Sequence, residues 1–123
     1  MSSSELNQSL CLATRIVRSF VNGDLSAAAF IAEYANFYYY EALDGHEASS
    51  AENHELRASL WIPIDLHRRI QEEVINKIAL DPGYSLELLR ETGRIDEAEA
   101  RERARAICAE KGIDAILEGL GCH

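Results

Sequence analysis

Apolar residues recur every three or four positions along almost the whole of this chain, and glycine or proline interrupts the pattern at helix-length intervals. That spacing puts the apolar side chains on one face of an α-helix and leaves little room for the two-residue alternation of a strand. Leu6, Leu10, Ala13, Val17 and Phe20 predict a first helix from about Glu5 to Val21. Ser2 to Ser4 offer caps at its start, and Asn22-Gly23 offers the left-handed turn that ends it. Asp24 or Ser26 then caps a second helix, about Ala27 to Leu43, with Phe30, Ile31, Tyr34, Phe37 and Tyr38 on one stripe. Successive helical residues are about 100° apart, so Tyr38, Tyr39 and Tyr40 cannot all face one core. A connection this short makes the two helices an antiparallel hairpin.

Asp44 to Asn53 reads as a loop, and Leu56 and Leu60 suggest a helix from about Glu52 to Trp61. Pro63 lacks a backbone donor and breaks or kinks the helical path there. Leu66, Ile70, Val74 and Ile78 then keep strict four-residue spacing to about Leu80. Asp81-Pro82-Gly83 is a turn, a short helix from Ser85 to Glu91 closes on Gly93, and Asp96 with Glu99 resembles a capping box opening a helix to about Glu110. After Gly112, Ile113, Ile116, Leu117 and Leu120 form a last short amphipathic helix. The 123 residues, 47% of them apolar, suffice for one domain with its own core. The expected fold is all-α: one antiparallel helical bundle over residues 1–123, with four main helices and short extra ones.

No stretch approaches the ~20 consecutive apolar residues of a membrane helix. The opening Met1-Ser2-Ser3-Ser4-Glu5 lacks the basic start of a secretory signal. A cytoplasmic chain with no membrane partner is expected. The three cysteines, Cys11, Cys108 and Cys122, are odd in number and form no CxxC pair, so neither a disulfide framework nor a zinc cluster is expected. Cys11 and Cys108 read as small buried apolar side chains, and Cys122-His123 as a frayed end.

Charge is distributed unevenly. No Lys or Arg occurs between Ser19 and Leu56, whereas Asp24, Glu33, Glu41, Asp44, Glu47, Glu52 and Glu55 are acidic; these are seven of the nine net negative charges. Such a stretch argues against nucleic acid and anionic lipid and for a basic partner. Elsewhere the charges alternate: Arg94, Arg101, Arg103 and Arg105 sit among Asp96, Glu97, Glu99 and Glu102, a pattern of intrahelical pairs on a solvated face.

The chain offers no glycine-rich phosphate loop, no HExxH and no Glu-x-x-His pair. His46 and His54 flank the acidic loop as solvated polar residues, and His67 reads as a residue near a helix start. Trp61 reads as core or as a bundle cap; exposed, it would be an anchor for a partner. No catalytic residue, metal ligand or cofactor is expected, and the chain does not read as an enzyme. What remains is a protein interface. Tyrosine supplies amphipathic contact area, and carboxylates accept charge-assisted bonds from Arg or Lys.

The stretch from Phe20 through Asn22-Gly23 and Ser26 to Phe30 and Tyr34 resembles the first helical hairpin of the colicin D immunity protein family. Ile95-Asp96-Glu97-Ala98-Glu99-Ala100-Arg101 is similar to the start of that family's closing helix. The likeness spans roughly Leu6 to Ile107; the segment from Asp81 to Gly93 and the tail after Gly112 are extra. The resemblance implies a helical bundle that neutralises the basic C-terminal domain of a toxin, commonly a tRNA-cleaving nuclease, through an acidic surface laid where tRNA phosphates would lie. On this reading the partner-binding residues are Glu33, Tyr39, Tyr40, Glu41, Asp44, Glu47, Glu52 and Glu55. The alternatives are a small helical enzyme with a carboxylate or metal site, and a helical adaptor subunit.

Overall fold

Helix α1 (Ser3–Val21) exists because its apolar positions fall on one face: Leu10, Ala13, Val17 and Phe20 are all buried. It stops where expected. Gly23 adopts φ +87, which an L side chain resists, and Asp24 N donates back to Ser19 O at 2.8 Å. The computed structural model describes residues 3–35, 60–80 and 85–122, and among them the architecture is a bundle of α-helices. Helix α2 (Ala27–Tyr34) is capped by Ser26 rather than Asp24, the Ser26 hydroxyl accepting from Ala29 N at 3.2 Å. Its first amide, Ala27 N, donates to the Glu97 carboxylate, which brings a negative charge to the positive end of the helix. The remainder of the expected second helix, the loop after it and the helix expected from Glu52 lie outside the described residues.

α1 and α2 pack through stacked rings of Phe20 and Phe30, centroids 4.3 Å apart, both side chains fully buried. Burying each ring contributes roughly 1.5–3 kcal/mol, so this pair sets the hairpin's closure.

Helix α3 (Trp61–Ile70) begins before Pro63 rather than after it. Pro63 falls in the first turn, where its missing N–H has no partner to lose, so it opens the helix instead of kinking it. Trp61 therefore belongs to α3 and does not end a preceding helix. α3 passes directly into one widened π turn, Gln71–Ile75, where Asn76 N donates to Gln71 O at 2.9 Å. Strict four-residue spacing drifts by about 40° per step on a 3.6-residue helix. The wider turn absorbs that drift, and Leu66, Ile70 and Val74 are all buried. The helix ends there, short of the expected Leu80. Ile78 instead forms a lone parallel bridge with Ile95, Ala79 N donating to Ile95 O and Ile95 N to Lys77 O.

α4 (Leu86–Thr92) is capped by Ser85 and closed by Gly93, as its sequence predicts. α5 (Glu97–Lys111) is capped by Asp96, which accepts from Glu99 N at 2.8 Å. The reciprocal half of a capping box is absent, because the Glu99 carboxylate pairs with Arg103. Ala100 and Ala104 are fully buried, and these small side chains let α5 lie against both α1 and α3. Gly112, at φ +72, ends α5 and starts α6 (Ile113–Gly119), which buries Leu117 and packs Ile116 into the same core.

The basic positions of α5 do more than pair within their own helix. Arg103–Glu99 and Arg105–Glu102 follow expectation. Arg101 crosses to α1 instead: Nε donates to Phe20 O and Nη2 to Leu25 O, each at 2.9 Å, with the guanidinium 4.7 Å from the Phe20 ring centroid. A cation thus meets one carbonyl at the C-terminal end of α1, which also accepts from Gly23 N, and one in the turn that follows. Arg101→Ala is expected to lower the unfolding free energy in urea by about 2 kcal/mol, the scale of losing a charged donor from buried carbonyls; an unchanged midpoint would contradict this role.

Candidate functional site

One polar side chain lies at the centre of the apolar core. His67, placed by α3, is completely buried together with Thr14 of α1, while Tyr34 at the end of α2 is nearly so. Thr14 Oγ1 donates its proton to Leu10 O at 2.6 Å and so accepts from His67 Nε2 at 2.9 Å. That leaves Nδ1 of a neutral imidazole as the acceptor for the Tyr34 hydroxyl at 2.6 Å. The bonds run in one direction, Tyr34 to His67 to Thr14 to the α1 backbone, and tie three helices together. Burial depresses the His67 pKa to about 3 and keeps the ring neutral. His67 is therefore a core residue, not the helix-start residue its sequence suggests.

This arrangement has a consequence for the acidic stretch. Tyr34 ends α2, and Trp61 opens α3 a turn and a half before His67, so both described ends of the segment between them are held by one hydrogen-bonded pair. Asp24 and Glu33 are exposed on the described side of this segment. Tyr39, Tyr40, Glu41, Asp44, Glu47, Glu52 and Glu55 lie outside the described residues, as do His46 and His54. At the far end Trp61 and Ile62 are 54% and 56% exposed. Trp61 is thus neither core nor bundle cap, because the first turn of α3 turns Pro63 and Ile64 inward in its place. Ile62 was not apparent as a surface residue from periodicity; the only signal for it is its position between an exposed tryptophan and a first-turn proline.

The next acid along the chain is used internally. Asp65 is buried, bound by Arg68 Nε at 2.8 Å and Nη2 at 2.6 Å and by Lys111 Nζ of α5. Burial pushes its carboxyl up, and the two cations more than reverse this, leaving it below the ordinary carboxylate range. Arg69 binds Glu73 at 2.7 Å and also Glu110 of α5.

Among the described residues no three His, Cys, Asp or Glu side chains converge as a metal site would require, and no described helix is long and apolar enough to cross a membrane. One groove among the described residues, lined by Leu89, Arg90, Arg94, Asp96, Glu99 and Arg103, is an open mixed-charge depression. Arg94 donates to Asn76 O there and Arg103 to Glu99 and to Glu73 O, so these groups serve the fold. Compared with family models, with curated proteins and with solved structures, the chain matches none.

The buried histidine predicts a pH dependence. Its pKa is about 3 in the folded chain against 6.5 for the free side chain, so between these values the unfolded chain binds more protons and acid favours unfolding. The contribution is complete above about pH 6.5 and is lost as the pH falls toward 3. From pH 7 to pH 5 it amounts to a loss of about 2 kcal/mol. His67→Gln keeps a donor and an acceptor but does not titrate. Urea denaturation at the two pH values should show a loss smaller by that amount in the variant; equal losses would contradict a neutral buried imidazole.

Proposed function

We propose that this chain is a cytoplasmic immunity protein that binds a basic protein toxin, most simply a nuclease-type C-terminal domain, and blocks it by occupying its basic surface. The observation that carries this reading is the run from Ser19 to Leu56, which has seven acids and no Lys or Arg, bordered by an exposed Trp61-Ile62 pair. A tryptophan beside uncompensated carboxylates is the make-up of an interface with an apolar anchor and a charged surround.

The ion pairs of the bundle support it further. Arg18, the last base before the acidic run, pairs with Asp114, and Arg68, Arg69, Arg103, Arg105 and Lys111 pair with acids elsewhere in the described bundle. The acids of the run have no base of their own segment to neutralise them, so their field is directed to a partner. The hairpin of α1 and α2, with its Asn22-Gly23 turn, Ser26 cap and inward Phe30 and Tyr34, is the stretch whose sequence resembles colicin D immunity proteins. Glu33, Glu41, Asp44, Glu47, Glu52 and Glu55 supply the charged contacts, Tyr39 and Tyr40 the aromatic ones, and Trp61 adds an anchor.

The test is titration against the C-terminal domain of a secreted toxin encoded beside this chain's gene. Joint reversal of Glu41, Asp44 and Glu47 to Lys should weaken binding roughly 100-fold or more, through like-charge repulsion against a basic surface. Trp61→Ala should weaken it about 30-fold, the scale of an interfacial hot spot. Unchanged affinity after the triple reversal contradicts the acidic face, and a metabolic operon in place of the toxin gene contradicts the immunity role.

A further inference from the structure

The two ends of the described chain meet. Helix α6 lies against α1, and Cys122, just beyond α6, is joined to Cys11 of α1 by a disulfide across 111 positions of sequence, with Cα atoms 5.8 Å apart. Cys11, expected as a small buried apolar residue, and Cys122, expected in a frayed end, are instead bonded to each other. Spacing along the chain carries no information on the approach of two segments so distant. Cys122 is brought into place by local structure. Gly121, at φ +73, turns the backbone after α6, Gly121 N donates to Glu118 O at 3.0 Å and Cys122 N to Leu117 O at 3.0 Å. That is the left-handed closure of a helix C-terminus, and it aims the last residues back toward α1.

The three cysteines differ in accessibility. Cys11 and Cys122 are half-buried at the bundle surface, whereas Cys108 is buried in the core. Burial, with the negative charge of Asp114 added, pushes the Cys108 thiol up to about 11, so it stays protonated and unreactive at neutral pH. Of the seven residues of α6 only Ile116 and Leu117 are buried; Ile113 packs half-buried on the core and Asp114 pairs with Arg18 at the surface.

We infer that Cys11 and Cys122 form a reversible redox modification site, at which low-molecular-weight disulfides such as oxidised glutathione fasten α6 to α1. A thiolate of one cysteine attacks the glutathione disulfide and expels one glutathione thiolate. The second protein thiolate then attacks the protein sulfur of the mixed disulfide and expels the other. Two protein thiols become one disulfide, one oxidised glutathione becomes two glutathione thiols, and the two protons pass to the leaving thiolates. In a reducing compartment the pair stands open as a dithiol. Oxidation closes it, and Cys108 does not compete.

The experiment compares wild type and Cys122→Ser, each equilibrated with oxidised glutathione and then with dithiothreitol. Non-reducing peptide mapping of the oxidised wild type should find Cys11 linked to Cys122 and Cys108 free. Reduction should lower the thermal midpoint of wild type by about 10 °C, since the closed loop spans nearly the whole chain. Amides of residues 113–119 should then exchange at least ~10-fold faster. In the variant Cys11 should stop at a mixed disulfide with glutathione, and neither reagent should move its thermal midpoint or its α6 exchange. Three free thiols after oxidised glutathione overturn the site, and a midpoint and α6 exchange indifferent to reductant overturn its role as a fastener.

Discussion

A neutral imidazole at the centre of the bundle is the constraint on which the rest of this structure rests. His67 can be buried only with both ring nitrogens bonded, and the partners it takes, Tyr34 and Thr14, come from two other helices. An apolar core tolerates sliding of one helix on another at modest cost. A directional chain ending at the Leu10 carbonyl does not, because displacement strands a buried donor or acceptor. Phe20, Phe30, Ile64 and Ile70 supply the burial that stabilises the bundle, and the polar chain selects which register of that burial is occupied.

The same chain reaches the surface through geometry. Tyr34 and Trp61 flank the acidic segment in sequence, so the hydrogen bond that orders the core also holds the described residues on either side of it. Around it, arginines lace the helices. Arg101 bonds carbonyls at the end of α1 and in the turn after it, and Arg68 and Lys111 neutralise the buried Asp65 between α3 and α5. Basic residues are thus largely spent on the fold, and negative charge accumulates where no base is encoded.

Much of this is legible in the sequence, for local reasons. Caps and stops are written in single residues: Asn22-Gly23, Ser26, Ser85, Gly93, Asp96 and Gly112 all act where their chemistry predicts. The apolar stripes of α1 and α3 are equally direct. What periodicity does not show is any contact between distant segments. Nothing near His67 in sequence announces Thr14 or Tyr34, nothing near Cys11 announces Cys122, and Arg101 is indistinguishable in sequence from the arginines two and four positions on. The end of α3 is an intermediate case, since its strict four-residue spacing does signal the π turn, though it reads at first as a longer helix. Of the candidate partner-binding residues Glu33 alone is among the described ones, and those from Tyr39 to Glu55 rest on sequence.

The claim that this acidic edge captures a basic protein is tested most directly by the salt dependence of the association rate, followed by stopped-flow fluorescence of Trp61, the chain's one tryptophan. Electrostatic capture predicts a rate constant near or above ~10⁸ M⁻¹s⁻¹ at low ionic strength that falls steeply as salt is added, while dissociation changes little. An association rate that stays flat across the same salt range would contradict it.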